Sequence, residues 1–206
     1  MSTTGGIVLC GGRSRRMGLP KLSLPFGLEV MLARVVRLVA EAVEPVVVVA
    51  AAEQELPPLP RSVLVARDRQ EDRGPLEGLA VGLAALGDRV EAAFAAACDQ
   101  PLLRPAFIRR VIELSEGYVA AVPCIDGVAE PLSAVYRTSV LPEIERLLAE
   151  DRRRPAYLFD RVRTRWIRAD ELTGVDPQLQ SLSNVNSLAD YHAALKLAGL
   201  GADSAK

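Results

Sequence analysis

The chain has 206 residues, half of them apolar, and a formal net charge of −1. That length suits one large domain better than two small ones, and the apolar share supplies a substantial core. The balanced charge argues against nucleic acid or a membrane surface as the partner, and no apolar run approaches the ~20 residues that a membrane helix needs.

Cys10, Cys98 and Cys124 lie far apart with no CxxC pair, and His192 is the single histidine, so no His/Cys metal set is apparent. This cysteine usage fits a reduced, cytoplasmic compartment. The opening "MSTTGG" reads as no signal peptide.

In chain order, Gly6–Cys10 ("GIVLC") reads as a short buried strand. It runs into "LCGGRSRRMGLPK", Leu9–Lys21, which carries two adjacent glycines, three arginines and a lysine. Glu29–Val43 shows apolar residues at helical spacing, with Arg34, Arg37 and Glu41 exposed. Pro45–Ala52 ("PVVVVAAA") is a β-branched run buried on both faces, and "PPLP" breaks the chain after it. Ser62–Ala66 ("SVLVA") is the next strand, and Gly74–Leu86 becomes helical with Pro75 in its first turn. Ala92–Cys98 is a fourth strand, Arg104–Ser115 a helix and "YVAAVP" a fifth strand. Beyond it, Glu130–Arg137 and "TRWIRA" read as strands and "SVLPEIERLLAE" as a helix. A helix with a clear start runs through Asn184–Gly199, and residues 201–206 read as a flexible tail.

Strand and helix alternate at least four times, and the strands are continuous apolar runs, as in a parallel sheet covered on both sides. The expected fold is a three-layer α/β/α Rossmann-like domain with a mostly parallel central sheet, occupying residues 1–200. Ligands of such sheets bind beyond the carboxyl ends of the strands. Attention therefore falls on "CGGRSRRMG", "RDRQEDRGP" and "CDQPLL".

In the first of these loops, Gly11 and Gly12 offer backbone N–H groups unobstructed by a Cβ, an anion-binding nest. Arg13, Arg15, Arg16 and Lys21 add positive charge. Lysines are rare here, at Lys21, Lys196 and Lys206 only, and Lys21 is a compact charge able to reach a triphosphate. The loop is neither a Walker P-loop nor GxGxxG. Asp99, after the fourth strand, is a candidate Mg²⁺ ligand or a turn residue. Asp68 also follows a strand, within the charged run "RDRQEDR". Asn184 and Asn186 precede a helix, where Ser187 and Asp190 make a near capping box. His192, one turn into that helix, reads as a surface residue.

Taken in order, L-x-G-G-x-S-x-R-M-G-x-x-K, G-P-L-x-G, C-D-x-P and N-V-N-[ST]-x-x-D resemble the molybdenum cofactor guanylyltransferases, of the nucleotidyltransferase superfamily. The matching pieces are Leu9–Lys21, Gly74–Gly78, Cys98–Pro101 and Asn184–Asp190, with "EPLSAVYR" similar to the family's "PL-AVY" strand. The resemblance implies one nucleotidyltransferase domain in which Mg-GTP and the phosphate of Mo-molybdopterin give the guanine dinucleotide cofactor and pyrophosphate. By the same resemblance Leu9, Cys10 and Gly11 contact the nucleotide and Lys21 its phosphates. Asp68 helps to hold the guanosine, Asp99 contacts the nucleotide and binds Mg²⁺, and Asn184 and Asn186 face the pterin substrate or complete the metal site. Gly12 and Arg13 join the nucleotide site, and Arg16 joins Lys21 and Asp99 in stabilising charge on the triphosphate and leaving pyrophosphate. The attacking oxygen belongs to the substrate, so no side-chain nucleophile is required. Molybdenum cofactor biosynthesis or acceptor proteins are the implied protein partners.

The chain departs from the family's pattern at Pro20, where an Asp often precedes the motif lysine. It departs also at Ala50–Ala52, where an Asn usually touches the nucleotide, and at Ser133, often His. The nearest rival is a CTP-dependent molybdenum cofactor cytidylyltransferase, whose turn typically reads L-A-A-G; here it is L-C-G-G, and Gly11 leaves room for a larger purine. A non-catalytic nucleotide or pterin carrier on the same fold is a further alternative, against which Lys21 and Asp99 argue.

Overall fold

The computed structural model describes residues 3–10, 21–68 and 74–200. Arg13, Arg16, Gly11 and Gly12 lie outside the described residues, as does the 201–206 segment.

One large sheet organises the molecule. Its strands are β1 (Thr4–Leu9), β4 (Val46–Ala50), β5 (Leu64–Arg67), β6 (Ala92–Ala97), β7 (Ala120–Ile125), β8 (Val128–Ala129), β9 (Ser133–Arg137) and β10 (Thr164–Ile167). A separate hairpin pairs β2 (Pro25–Phe26) with β3 (Glu29–Val30). The spatial order is β10-β7-β9-β6-β1-β4-β5, with β8 paired to β7. β1 runs parallel to β4 and to β6, β4 to β5, and β10 to β7. β9 is antiparallel to both β6 and β7, and β8 to β7. The result is the mostly parallel sheet expected.

Side-chain alternation builds a core on each face of it. Along β1, Ile7 and Leu9 join one apolar cluster while Val8 and the following Cys10 join the other. β4 does the same with Val47 and Val49 against Val46, Val48 and Ala50. A strand buried on both faces has no polar stripe, which is why these segments read as unbroken apolar runs. Helices α2 (Pro75–Leu86), α4 (Leu141–Ala149) and α5 (Ala156–Phe159) cover one face. Helices α1 (Met31–Ala40) and α3 (Pro105–Leu114) cover the other, through Leu32, Val35, Val36 and Val39 and through Phe107, Ile108 and Val111. A third, smaller cluster joins Phe26, Met31, Leu102, Val185 and Ala194, the last on helix α6 (Leu188–Leu197).

Several sequence expectations are corrected. The first helix begins at Met31, not Glu29, because Glu29 and Val30 pair with Phe26 and Pro25 across the Gly27–Leu28 turn. The "SVLVA" segment is the sheet's edge: β5 starts at Leu64 and alternates in exposure, with Val65 49% exposed. The last helix starts at Leu188, since Ser187 and Asp190 close a capping box: Asp190 N–H donates to Ser187 Oγ at 3.2 Å and Ser187 N–H to Asp190 Oδ2 at 2.8 Å. Asn184 and Asn186 therefore precede the helix. The strands β2, β3 and β8 and the helix α5 are too short to have a periodic signature.

α2 lies against β1 through its glycines. A Cβ at Gly82 would stand 2.6 Å from Ile7 Cγ2, and one at Gly78 would stand 3.1 Å from a Leu9 methyl. Gly82→Ala would ordinarily stabilise a helix by up to about 1 kcal/mol. Here overpacking dominates, and the expected outcome is a loss of about 1–3 kcal/mol in the urea unfolding free energy. A gain in stability would refute this close approach.

Candidate functional site

The carboxyl ends of β1, β4, β5 and β6 open on one rim of the sheet. The parallel registers require it: Leu9 stands beside Val49 and Ala97, and Ala50 beside Arg67. Backbone bonds carry the alignment past the strand ends, with Cys10 N–H on Val49 O, Cys98 N–H on Leu9 O and Asp68 N–H on Ala50 O, each at 2.9 Å.

Lys21, Asp99 and Asn186 meet at this rim. Lys21 Nζ lies 3.2 Å from Asp99 Oδ2 and donates to Asn186 Oδ1 at 2.8 Å. Lys21 opens a single 3-10 turn, Lys21–Ser23, whose Leu22 is buried in the core on the α1 and α3 face. Asn186 is held ahead of α6, where its N–H donates to Asp190 Oδ2 at 3.0 Å. Asn184 is exposed and makes no hydrogen bond with the other described residues. His192 is exposed on α6.

The turn that presents Asp99 is braced from several sides. Asp99 O accepts from Val185 N–H at 2.8 Å, which docks the C-terminal segment against it. Gln100 is buried; Ala97 N–H donates to its Oε1 at 3.0 Å, and its Nε2 donates to the buried Ser133 Oγ at 2.8 Å. Arg34 Nε of α1 donates to Pro101 O at 2.7 Å. At the start of α3, Arg104 N–H donates to Ser181 Oγ at 3.1 Å, and Arg104 Nε lies 3.4 Å from the fully buried Asp176. Gln100, Arg34 and the Asp176 knot escape sequence reasoning; "CDQP" draws attention to its Asp, and no local pattern pairs Arg104 with Asp176.

Asp68 stands at the end of β5, half-buried, and its Oδ1 has no hydrogen-bond partner among the described residues. Burial, together with the neighbouring Glu77 carboxylate of α2, holds the Asp68 carboxyl above its ordinary pKa. An oxygen left without a donor in such a place is suited to receive one from a ligand. Leu9 is a core residue facing α2, so only its backbone is available to a ligand. Cys10 is buried, and its Sγ–H donates to Val49 O at 3.2 Å. Its carbonyl accepts from Gln54 Nε2 at 3.0 Å. Burial pushes the Cys10 thiol up to about 12 and raises that of Cys98 as well. Both are neutral packing groups at ordinary pH.

The described residues contain no cluster of three His, Cys, Asp or Glu side chains able to hold a metal. Among the described residues, Lys21, Asp99 with one oxygen not bonded to Lys21, and the unpartnered Asp68 Oδ1 stand along this rim.

Known proteins place this geometry in context. The family model of the MobA-like NTP transferase domain matches residues 6–164. A probable molybdenum cofactor guanylyltransferase of Methanosarcina acetivorans is 34% identical, over 92% of this chain and 88% of that protein. Its counterpart in Mycobacterium avium is 36% identical, over 91% of this chain and 93% of that protein. The crystal structure of molybdopterin-guanine dinucleotide biosynthesis protein A from Archaeoglobus fulgidus superposes with a TM-score of 0.79 at 23% identity, covering 95% of this chain and 98% of that one.

The buried thiol gives a pH signature. An unfolded Cys10 ionises near 9.0, whereas the native thiol holds its proton to about 12. Its contribution to stability is present below the unfolded value and is lost as pH rises between the two. Between roughly pH 8 and pH 10.5, wild-type protein is expected to lose about 1–2 kcal/mol more unfolding free energy than Cys10→Ser, which has nothing to ionise. Parallel pH profiles from urea titration would contradict the burial of the thiol.

Proposed function

The chain belongs to the MobA-like NTP transferase family, and on that premise we propose that it transfers GMP from Mg-GTP to the phosphate of Mo-molybdopterin, releasing pyrophosphate. It is a nucleotidyltransferase, and GTP-dependent guanylyl transfer in molybdenum cofactor biosynthesis is the activity that its relatives' names carry. The observation that supports the finer reading is the convergence of Lys21, Asp99 and Asn186 on one strand-end rim.

An oxygen of the pterin's phosphate attacks the α-phosphorus of GTP. A new P–O bond forms there while the bond to the bridging oxygen breaks, and pyrophosphate leaves with that electron pair. Two anions must approach, so the protein's work is positioning and charge neutralisation. Lys21 stands ready for this: in the free protein its charge is shared between Asp99 and Asn186, and the triphosphate replaces those partners. Arg13 and Arg16, with the Gly11–Gly12 backbone, would add to the phosphate cradle. Leu9 and Cys10 would contribute backbone groups to the nucleoside side, where Asp68 Oδ1 awaits a donor. Asn186 would meet the pterin phosphate, and the exposed Asn184 is available to the pterin itself.

Asp99 fits a Mg²⁺ ion. One carboxylate oxygen is bonded to Lys21, the other makes no hydrogen bond with the described residues, and the side chain is 20% exposed at the rim. Mg²⁺ is commonly held by one or two carboxylates, with substrate phosphates and water as the remaining ligands. Bound there, it would neutralise charge on the reacting phosphates.

Calorimetric titration with GTP, CTP, ATP and UTP, each with Mg²⁺, tests the nucleotide. GTP is expected to bind best, and a preference for CTP would overturn the reading. Lys21→Ala is expected to weaken GTP by about tenfold or more, the scale of a charge-assisted hydrogen bond. Asp99→Ala is expected to abolish turnover with an unchanged circular dichroism spectrum. Wild-type turnover in that variant would remove Asp99 from the metal site.

A further inference from the structure

Positions 50–52 at the end of β4 carry only methyl side chains, so that stretch gives a base nothing polar beyond its backbone. The turn just beyond supplies what they lack. Gln54 reaches back across the rim, and its Nε2 donates to Cys10 O at 3.0 Å while its Oε1 accepts from Ala51 N–H at 3.1 Å. These two bonds fix which end of the carboxamide faces which way. The turn itself is clamped: Arg67 Nη1 donates to Ala51 O at 3.0 Å and to Gln54 O at 2.6 Å. The carboxamide is thus held between the ends of β1 and β4. Asp68, next in sequence to Arg67, stands at the neighbouring strand end, its Oδ1 near Gly78 of α2 and without a hydrogen-bond partner among the described residues.

We propose that Gln54 is a specificity-determining residue that donates its second Nε2 hydrogen to O6 of the guanine base; this rests on the reading that the nucleotide is GTP. An amide nitrogen carries two hydrogens, and Cys10 O takes only one. A guanine presents an acceptor at position 6 and donors at N1 and N2. The donors suit the acceptor-only Asp68 carboxylate, and the acceptor suits Gln54. An adenine presents an N–H at position 6, which would face the Gln54 N–H with no bond formed. Discrimination of this kind is strong because a mismatch leaves a desolvated donor unpaired.

The test compares GTP, ATP and the triphosphate of 2-aminopurine riboside, which keeps the N2 amine and lacks both O6 and the N1 hydrogen, by calorimetric titration. Wild-type protein is expected to bind GTP at least about tenfold more tightly than the 2-aminopurine nucleotide. In Gln54→Leu that ratio is expected to fall about tenfold, through loss of GTP affinity with the 2-aminopurine nucleotide unchanged; the ratio left over belongs to N1, which carries a hydrogen for Asp68 in guanine and none in 2-aminopurine. In Gln54→Glu, which exchanges donor for acceptor, GTP is expected to weaken further and ATP to gain relative to it. If Gln54→Leu does not fold, the inversion in Gln54→Glu carries the test. Equal weakening of all three nucleotides would make Gln54 a brace of the turn and overturn the proposal, as would an unchanged ratio. A wild-type protein that favours CTP would overturn the GTP reading itself, whatever the variants do.

Discussion

β1 is hydrogen-bonded in parallel to β4 on one side and to β6 on the other, and the site exists because of that double pairing. Parallel registers bring carboxyl ends to the same rim, so loops far apart in the chain become neighbours. The pairing also buries β1 on both faces, which demands small residues opposite it. Gly78 and Gly82 on α2 meet that demand by letting the helix backbone lie against Leu9 and Ile7. The tight packing that fixes the strand is therefore continuous with the rim that carries the candidate site.

The electrostatics of the rim follow from the same layout. Lys21 and Asp99 form a partly exposed pair, and a pair of this kind contributes at most about 1 kcal/mol to stability. Its value is positional. A lysine whose partners are one carboxylate and one amide oxygen can exchange them for phosphate oxygens at little cost. Rigidity comes instead from hydrogen bonds to neutral acceptors: Gln100 to Ser133, Val185 to Asp99 O, Arg34 to Pro101 O. Charged groups left free to trade partners thus stand on a frame held by groups that do not.

Much of this was legible from the chain alone. Double-sided burial leaves β1, β4 and β6 as unbroken apolar runs, and the helical spacing of Val35, Val36 and Val39 identifies α1. Ser187 and Asp190 announced the start of α6. The boundaries failed where local pattern competes with tertiary pairing: Glu29 and Val30 suit a helix but pair with β2, and β5 lies at an edge where alternate side chains face water. Asp68, Asp99 and Lys21 were visible as charged residues following strands or loops. Gln54, Gln100 and the Arg104–Asp176 contact were not, since each depends on a partner many residues away.

By itself, the sequence determined the alternation of buried strands and amphipathic helices, the glycine-rich basic loop and the order of the motifs. Those are local properties, set by side-chain polarity and backbone freedom over a few residues. Tertiary structure alone decided that Lys21, Asp99 and Asn186 share one hydrogen-bonded cluster while Asn184 stays exposed, and that a glutamine from one turn meets the carbonyl of another strand. The reason is physical: sheet register fixes distances between residues that periodicity cannot relate, and only the folded sheet sets which polar atoms are left to face a ligand.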